Sequence, residues 1–339
     1  MSSFTSPVTR VRCGSPVLIV LALLAGCGST PPGPDAAPPS TVPTSPAGRF
    51  AVTSTFDLPV PAAAGVVLAA LADATDGPDD PTRYLVDRMI ATLPDGTIKT
   101  IAGGAAPYVA AYLNERLADI APRFVTGIAA ISDGLARVAS HVGTVETLEI
   151  DGSGAAIRTI TGVRFDVAAK PVIAGFADAG LADIVVGTHV ALDATGHVTI
   201  GDHAHGVPYG ALLRLGLDRA VIAVVEPAAR DLAAALAALV DCIALGALAA
   251  DRIGLGSPAL YQTACRAAMT AIASELYARI AAIDDAPVAL EVTGGADGVD
   301  LDGDGTLDEL RAGRWSGALS SAAAREPIEA ARFTGTKAP

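Results

Sequence analysis

The residues in this chain best placed to do chemistry are the carboxylates of Asp300-Leu301-Asp302-Gly303-Asp304-Gly305-Thr306-Leu307-Asp308. Carboxylates packed this closely repel one another unless a cation neutralises them, and an all-oxygen donor set suits a hard divalent ion. A second cluster is His189, His197, His203 and His205, which are four of the five histidines. His203-Ala204-His205 puts two imidazoles on one face of a strand, and hairpin pairing would bring His189 or His197 near them. With no cysteine nearby and Asp202 the only adjacent acid, polar loop histidines are a better reading than a transition-metal site. Nucleophile motifs are absent. Gly254-Leu255-Gly256-Ser257-Pro258 is not G-x-S-x-G, there is no H-E-x-x-H or S-x-x-K, and Gly103-Gly104-Ala105-Ala106 reads as a turn without a phosphate-loop lysine. Asp79 and Asp80, between Pro78 and Pro81, read as a turn and helix N-cap rather than paired catalytic acids.

The acidic run resembles the DxDxDG loops of EF-hand calcium sites. That resemblance implies ligands from Asp300, Asp302, Asp304, the Thr306 carbonyl and Asp308, with Gly305 at the sharp turn. Arg311 stands where the strong bidentate Glu belongs, and no entering helix precedes Asp300. Calcium affinity on the order of 10⁻⁴ to 10⁻³ M is therefore expected, with a solvated acidic turn between strands as the alternative.

The apolar run 17–23 follows Arg10 and Arg12 and is too short to span a bilayer, so it reads as a cleaved export signal. Leu24-Ala25-Gly26-Cys27 resembles the lipobox of bacterial lipoproteins. The resemblance implies a diacylglyceryl group on the Cys27 thiol and a mature chain that begins there. Gly28, in place of an Asp, implies sorting to the outer membrane of a two-membrane cell, on its periplasmic face or the cell surface. Residues 28–48, rich in proline, serine and threonine, read as an extended tether. The organisation expected is thus a signal over 1–26, a lipidated cysteine and tether over 27–48, and a globular domain over 49–339. Cys13 leaves with the signal and Cys27 carries lipid, so Cys242 and Cys265 remain to form a disulfide in an oxidising compartment.

Elements that must position these groups follow from composition and pattern. Hydrophobic residues make up 51 % of the chain but aromatics only 4 %, which favours close backbone packing or a smooth apolar cavity. The net charge of −13 disfavours nucleic acid and anionic lipid surfaces as partners, leaving membrane contact to the acyl chains. A strand is expected over 49–60, then helices over 65–74, 81–93 and 107–120. The last has Tyr108, Tyr112, Leu113, Leu117 and Ile120 on one stripe. A helical or mixed stretch reaches Ser140. Antiparallel strands are expected over 144–150, 156–168, 182–193 and 197–202, with a tight hairpin at Thr195-Gly196. Helices return over 207–283, and 232–250 reads as one buried helix because Asp241 sits near its middle. Short β runs occupy 288–336. The fold class is α+β, an antiparallel sheet packed with Ala-rich helices in one interleaved domain.

The ladder Tyr108-Val109-Ala110-Ala111-Tyr112-Leu113-Asn114, the helices bearing Cys242 and Cys265, and the runs 313–317 and 333–336 are similar to uncharacterised secreted lipoproteins, a resemblance that assigns no activity. The function expected is a non-enzymatic, lipid-anchored envelope protein whose interior takes a lipid or other hydrophobic ligand. A calcium-stabilised structural or interaction module docking another envelope protein is the alternative. An unrecognised hydrolase is the third.

Overall fold

Phe50, Val52, Ser54 and Phe56 alternate inward along β1 (Gly48–Asp57), the first strand of an antiparallel sheet that closes on itself. The computed structural model describes residues 41–76, 81–120, 123–167 and 171–338. The signal, Cys27, the first part of the tether, and Asp79 and Asp80 lie outside the described residues. After β1 come α1 (Ala62–Asp76), α2 (Pro81–Ala91), α3 (Thr97–Ile120) and α4 (Phe124–Ser140). The chain returns through β2 (His141–Ile150), β3 (Ala155–Phe165), β4 (Val172–Gly175), β5 (Ile184–Leu192) and β6 (His197–Gly206). A second helical insertion holds α5 (Tyr209–Gly216), a π turn over Leu217–Val221, α6 (Ile222–Val225), α7 (Leu232–Leu239), α8 (Cys242–Ile253) and α9 (Pro258–Ala281). The last strands are β7 (Val288–Val299), β8 (Glu309–Ser321), β9 (Arg325–Pro327) and β10 (Ala330–Lys337).

The strand order β1-β2-β3-β5-β6-β7-β8-β10 is antiparallel throughout, and β10 pairs with β1 as well as β8. This is a closed eight-stranded barrel, which removes the exposed edges of an open sheet. β4 extends the flank of β3 beyond β5, and β9 lies on β8. Both helical insertions leave and re-enter at one end of the barrel, because each joins the end of one strand to the start of its neighbour there. The turns joining β2 to β3, β5 to β6 and β7 to β8 lie at the opposite end.

Several local expectations change. β7 and β8 run for 12 and 13 residues, where short β runs were expected, because pairing on both flanks of each strand rewards length. α3 starts at Thr97 and continues through Gly103, Gly104 and Pro107 instead of turning at the glycines. The hydrogen bond Pro107 removes is offset by burial of Ala102, Ala106, Val109, Ala110 and Leu113 on one face. That face excludes Tyr108, which is 80 % exposed, so the expected stripe is displaced. Tyr112 is half-buried beneath the Arg252 guanidinium, 3.8 Å from its ring centre. The side chains of Leu117 and Ile120 lie outside those described.

The expected single helix over 232–250 is two helices, α7 and α8, meeting at 60°. Asp241 causes the break: its carboxylate accepts from Ile243 N (2.9 Å) and Ala244 N (3.1 Å) and caps α8. Among the described residues no single helix is long and apolar enough to cross a membrane. Cys242 opens α8 and is disulfide-bonded to Cys265 of α9, with the Cα atoms 5.7 Å apart. Gly246 permits this approach, since a Cβ there would lie 2.7 Å from the Pro258 carbonyl oxygen.

Candidate functional site

Inward-pointing residues of β1, β2, β3, β6, β8 and β10 meet in the barrel lumen around one ion pair. Glu146 and Arg158 sit across the β2–β3 hairpin with both side chains 1 % exposed. Arg158 grips the carboxylate with two nitrogens, Nε and Nη2, the latter at 2.8 Å from Oε1. Its Nη1 lies 3.0 Å from His203 Nε2, and its guanidinium stacks 4.6 Å from the Trp315 ring centre. Thr144 donates its hydroxyl to Glu146, and Trp315 Nε1–H donates to Ser54 Oγ at 3.1 Å. Burial pushes the Glu146 pKa up, but the Arg158 charge and the hydrogen bonds from Arg158, Thr144 and Ser54 outweigh it and hold the carboxyl below its ordinary range. Because a guanidinium can only donate, His203 Nε2 accepts, so the ring proton sits on Nδ1 and points at the Gly201 carbonyl 2.8 Å away. Burial lowers the His203 pKa, and the neighbouring Arg158 charge adds to that.

The sequence alternation does not by itself send the histidines inward. Val198 and Ile200 face the lumen, so strict alternation would put Asp202 and Ala204 there next. A bulge intervenes: Ile200 pairs with Gly294 but His203 pairs with Val292, three steps on β6 against two on β7. The extra residue reverses the phase and turns His203 and His205 in together.

Above the polar cluster, at the helical end, the lumen opens into a cavity of about 40 Å³ under α4 and α5. Phe56, Val138, Ile160, Phe176 and Leu213 contribute to its apolar wall, and Thr144, His205 and Tyr209 are its only polar lining residues. α5 is fixed over the opening by Asp284, whose carboxylate accepts from Gly210 N (2.7 Å) and Ala211 N (2.9 Å). Tyr209 donates its hydroxyl to the Ala139 carbonyl oxygen. His205 Nδ1 is buried with no hydrogen-bond partner. Burial, then the Arg158 charge, then His203 bring the His205 pKa down to about 4, so the ring is neutral at ordinary pH.

At the opposite end the acidic loop joins β7 to β8. Asp300, Asp302 and Asp304 each offer a carboxylate oxygen, all within 4.8 Å of one another, and could coordinate a divalent cation. Asp300 is buried and accepts from Thr41 Oγ1 (2.6 Å), Gly303 N (2.7 Å) and Gly305 N (2.9 Å). These bonds, the Thr41 one foremost, hold its pKa low, as the Thr306 hydroxyl does for Asp304. Asp308 turns aside: it accepts from Leu301 N at 2.9 Å and pairs with Lys337 Nζ at 3.2 Å. Lys337 also donates to the Thr306 hydroxyl, 2.7 Å away. Of the two leucines in the loop, Leu307 is fully buried and Leu301 is 42 % exposed.

Residues 41–47 lie along this loop rather than extending away from it. Thr44 N and Ser45 N both donate to the Gly305 carbonyl (2.8 and 3.1 Å), and Leu307 N donates to the Ser45 carbonyl (3.1 Å). The first described residues are therefore clipped to the acidic turn.

The structure thus brings Asp300, Asp302 and Asp304 together and pairs Cys242 with Cys265. His203 and His205 share the lumen, while His189 and His197 lie outside the barrel wall and exposed. Among the described residues, the acidic loop is the one grouping of three or more such side chains with metal-ligand spacing. Ser54, Thr144, Glu146, Arg158, His203 and Trp315 bond to one another while His205 Nδ1 is left without a partner, and no catalytic cluster is evident among the described residues. Glu146, Arg158 and Ser54 escaped the sequence reading. The one signal available was opposite charge at in-phase positions flanking the Asp151–Gly154 turn. Comparison with family models, with curated proteins and with solved structures finds no match to this chain.

Proposed function

We propose that this chain is a non-enzymatic, lipid-anchored envelope protein, acylated at Cys27, that binds a hydrophobic ligand at the helical end of its barrel. The observation that carries the reading is an almost wholly apolar cavity between the barrel strands and the helices α4 and α5. Closed antiparallel barrels position ligands in this way, between a rigid wall and a removable cap. Here the wall is the strand ends and the cap is α5. A ligand larger than the cavity requires α5 to lift off Asp284. Solvent extraction of the exported protein followed by mass spectrometry should recover a hydrophobic molecule, and Leu213→Phe, which fills the space, should lose it. A clean extract from protein whose cavity also stays empty under xenon pressure would sink the reading.

A second reading, a calcium-stabilised module that docks another envelope protein, is favoured by the convergence of Asp300, Asp302 and Asp304 beside the clipped segment 41–47. Calcium would then tie the loop to the entry of the domain. Millimolar calcium should raise the melting temperature by a few degrees, and Asp302→Ala combined with Asp304→Ala should abolish the increment. Superimposable melting curves in calcium and in chelator would reduce the loop to a solvated turn.

A further inference from the structure

The geometry points to a lateral port between β5 and β6 that admits an unbranched hydrocarbon chain to the cavity beneath α5; the inference rests on the cavity being a ligand site. Pairing between these two strands is confined to Val190, Ala191 and Leu192 of β5 against Ile200, Thr199 and Val198 of β6. From there β5 extends back to Ile184 and β6 on to Gly206, both towards the helical end, without forming a ladder with each other. The bulge after Ile200 is the cause: the extra residue that turns His203 and His205 inward also bends β6 and carries it out of register with β5. Thr188 Oγ1 donates to the Gly201 carbonyl (2.9 Å) and ties the strands where the seam begins. Beyond that point each side is held from behind. β5 pairs with β3 from Ile184 to His189, and β6 pairs with β7 from His203 to Gly206. The seam can therefore widen without unpairing either strand from its other neighbour.

Burial follows the same line. Ile184, Val186 and Thr188 point inward, since they pair with Ile160, Arg158 and Ala156, and all three stay partly accessible. Their partners on β3 are buried, and so is Val190, the next inward residue of β5, where the ladder begins. Solvent thus reaches the inner face of β5 along the unladdered stretch and no further. The seam gives onto the cavity, because Ile184 on one side and His205 on the other both line it. Outside, Val185 (65 % exposed) and Ile157 (49 %) flank the opening, so apolar surface leads from the exterior to the apolar wall, and a hydrocarbon gains by covering it. The shape requirement comes from the strands themselves. A slit between two neighbouring strands is narrow across and long in the strand direction, so a chain one methylene wide passes where a quaternary carbon does not. Cap and seam have separate effects: α5 sets how much the space can hold, and the seam sets the cross-section of what reaches it.

Pentan-1-ol and 2,2-dimethylpropan-1-ol test this, because they are isomers of similar volume that differ in cross-section. Titrated into the full chain and followed by relaxation-dispersion NMR of the Leu213 methyl groups, which line the cavity, the linear alcohol should enter about tenfold faster than the branched one. Val186→Trp, which fills the seam at a residue outside the cavity lining, should slow entry and exit of pentan-1-ol alike by about tenfold and leave its affinity within about twofold. Val186→Phe serves if the tryptophan variant does not fold. Asp284→Ala, which loosens the seat of α5, should leave both rates unchanged. Equal entry rates for the two isomers, rates indifferent to the substitution at Val186, or entry accelerated by Asp284→Ala would overturn the port while leaving the cavity a ligand site. Failure of both alcohols to bind the wild-type protein would overturn both.

Discussion

Arg158→Met should lower folding stability by about 3–5 kcal/mol, the largest loss expected from one substitution in this protein. Methionine matches the length of the arginine stem but leaves Glu146, 1 % exposed, as a buried charge held only by neutral donors. The double change Glu146→Leu with Arg158→Met should recover at least half of the loss, because it removes the orphaned charge as well as the attraction. Urea unfolding at neutral pH measures both. The pH dependence gives an independent check. In the wild type the Glu146 carboxyl is held below its ordinary value of 4.5, so its stabilising contribution is complete above that pH and is lost as the pH falls further. In Arg158→Met only burial and weak donors remain, and burial raises the pKa, so acid relieves the variant by protonating the stranded group. The gap between variant and wild type should therefore narrow below about pH 5. A gap that is constant or widens in acid would mean that the lumen pair is not what the substitution disturbs.

Removing the disulfide should cost about 3 kcal/mol, with Cys242→Ala and Cys265→Ala together serving as the test. The bond closes a loop with a separation of 23 residues between α8 and α9, so its effect lies mainly in the unfolded chain. Both cysteines are buried, at 6 % and 0 % exposure, and each alanine also gives up a little packing. The consequence should be local first. α8 touches α9 closely at Gly246, and hydrogen exchange should rise in these helices while the barrel strands stay protected. Free-thiol labelling of both residues in the denatured, unreduced wild type would refute the bond itself. Equal stability of the double variant would show that helix packing alone fixes the pair.

What the sequence determined by itself is the material whose physics is local. The β-rich run with Phe50, Val52, Thr55 and Phe56, ended by Pro59 and Pro61, marks a strand because aromatic and β-branched side chains favour an extended, pleated backbone and proline ends it. Asp193-Ala194-Thr195-Gly196 closes a hairpin because Asp193 Oδ1 accepts from Thr195 N and His197 N, while Gly196 adopts φ +84. The acidic loop was legible for the same reason, since Asp300, Asp302 and Asp304 are brought together by a turn of a few residues. The pairing of Cys242 with Cys265, which the structure shows, was expected on the assumption that Cys13 leaves with a signal and Cys27 carries lipid.

The tertiary structure decided everything that relates residues far apart. Whether the sheet ends or closes depends on β10 finding β1, a relation that no local pattern encodes. The buried face of α3, and hence the exposure of Tyr108, follows from which neighbours that helix meets. The lumen cluster depends on Trp315 reaching Ser54 across 261 residues of chain, and the inward turn of His203 and His205 on a single bulged residue of β6. A strand carries its period in its own backbone, but its phase relative to the core is set by the strand beside it. The character of the site was therefore fixed only when the barrel closed.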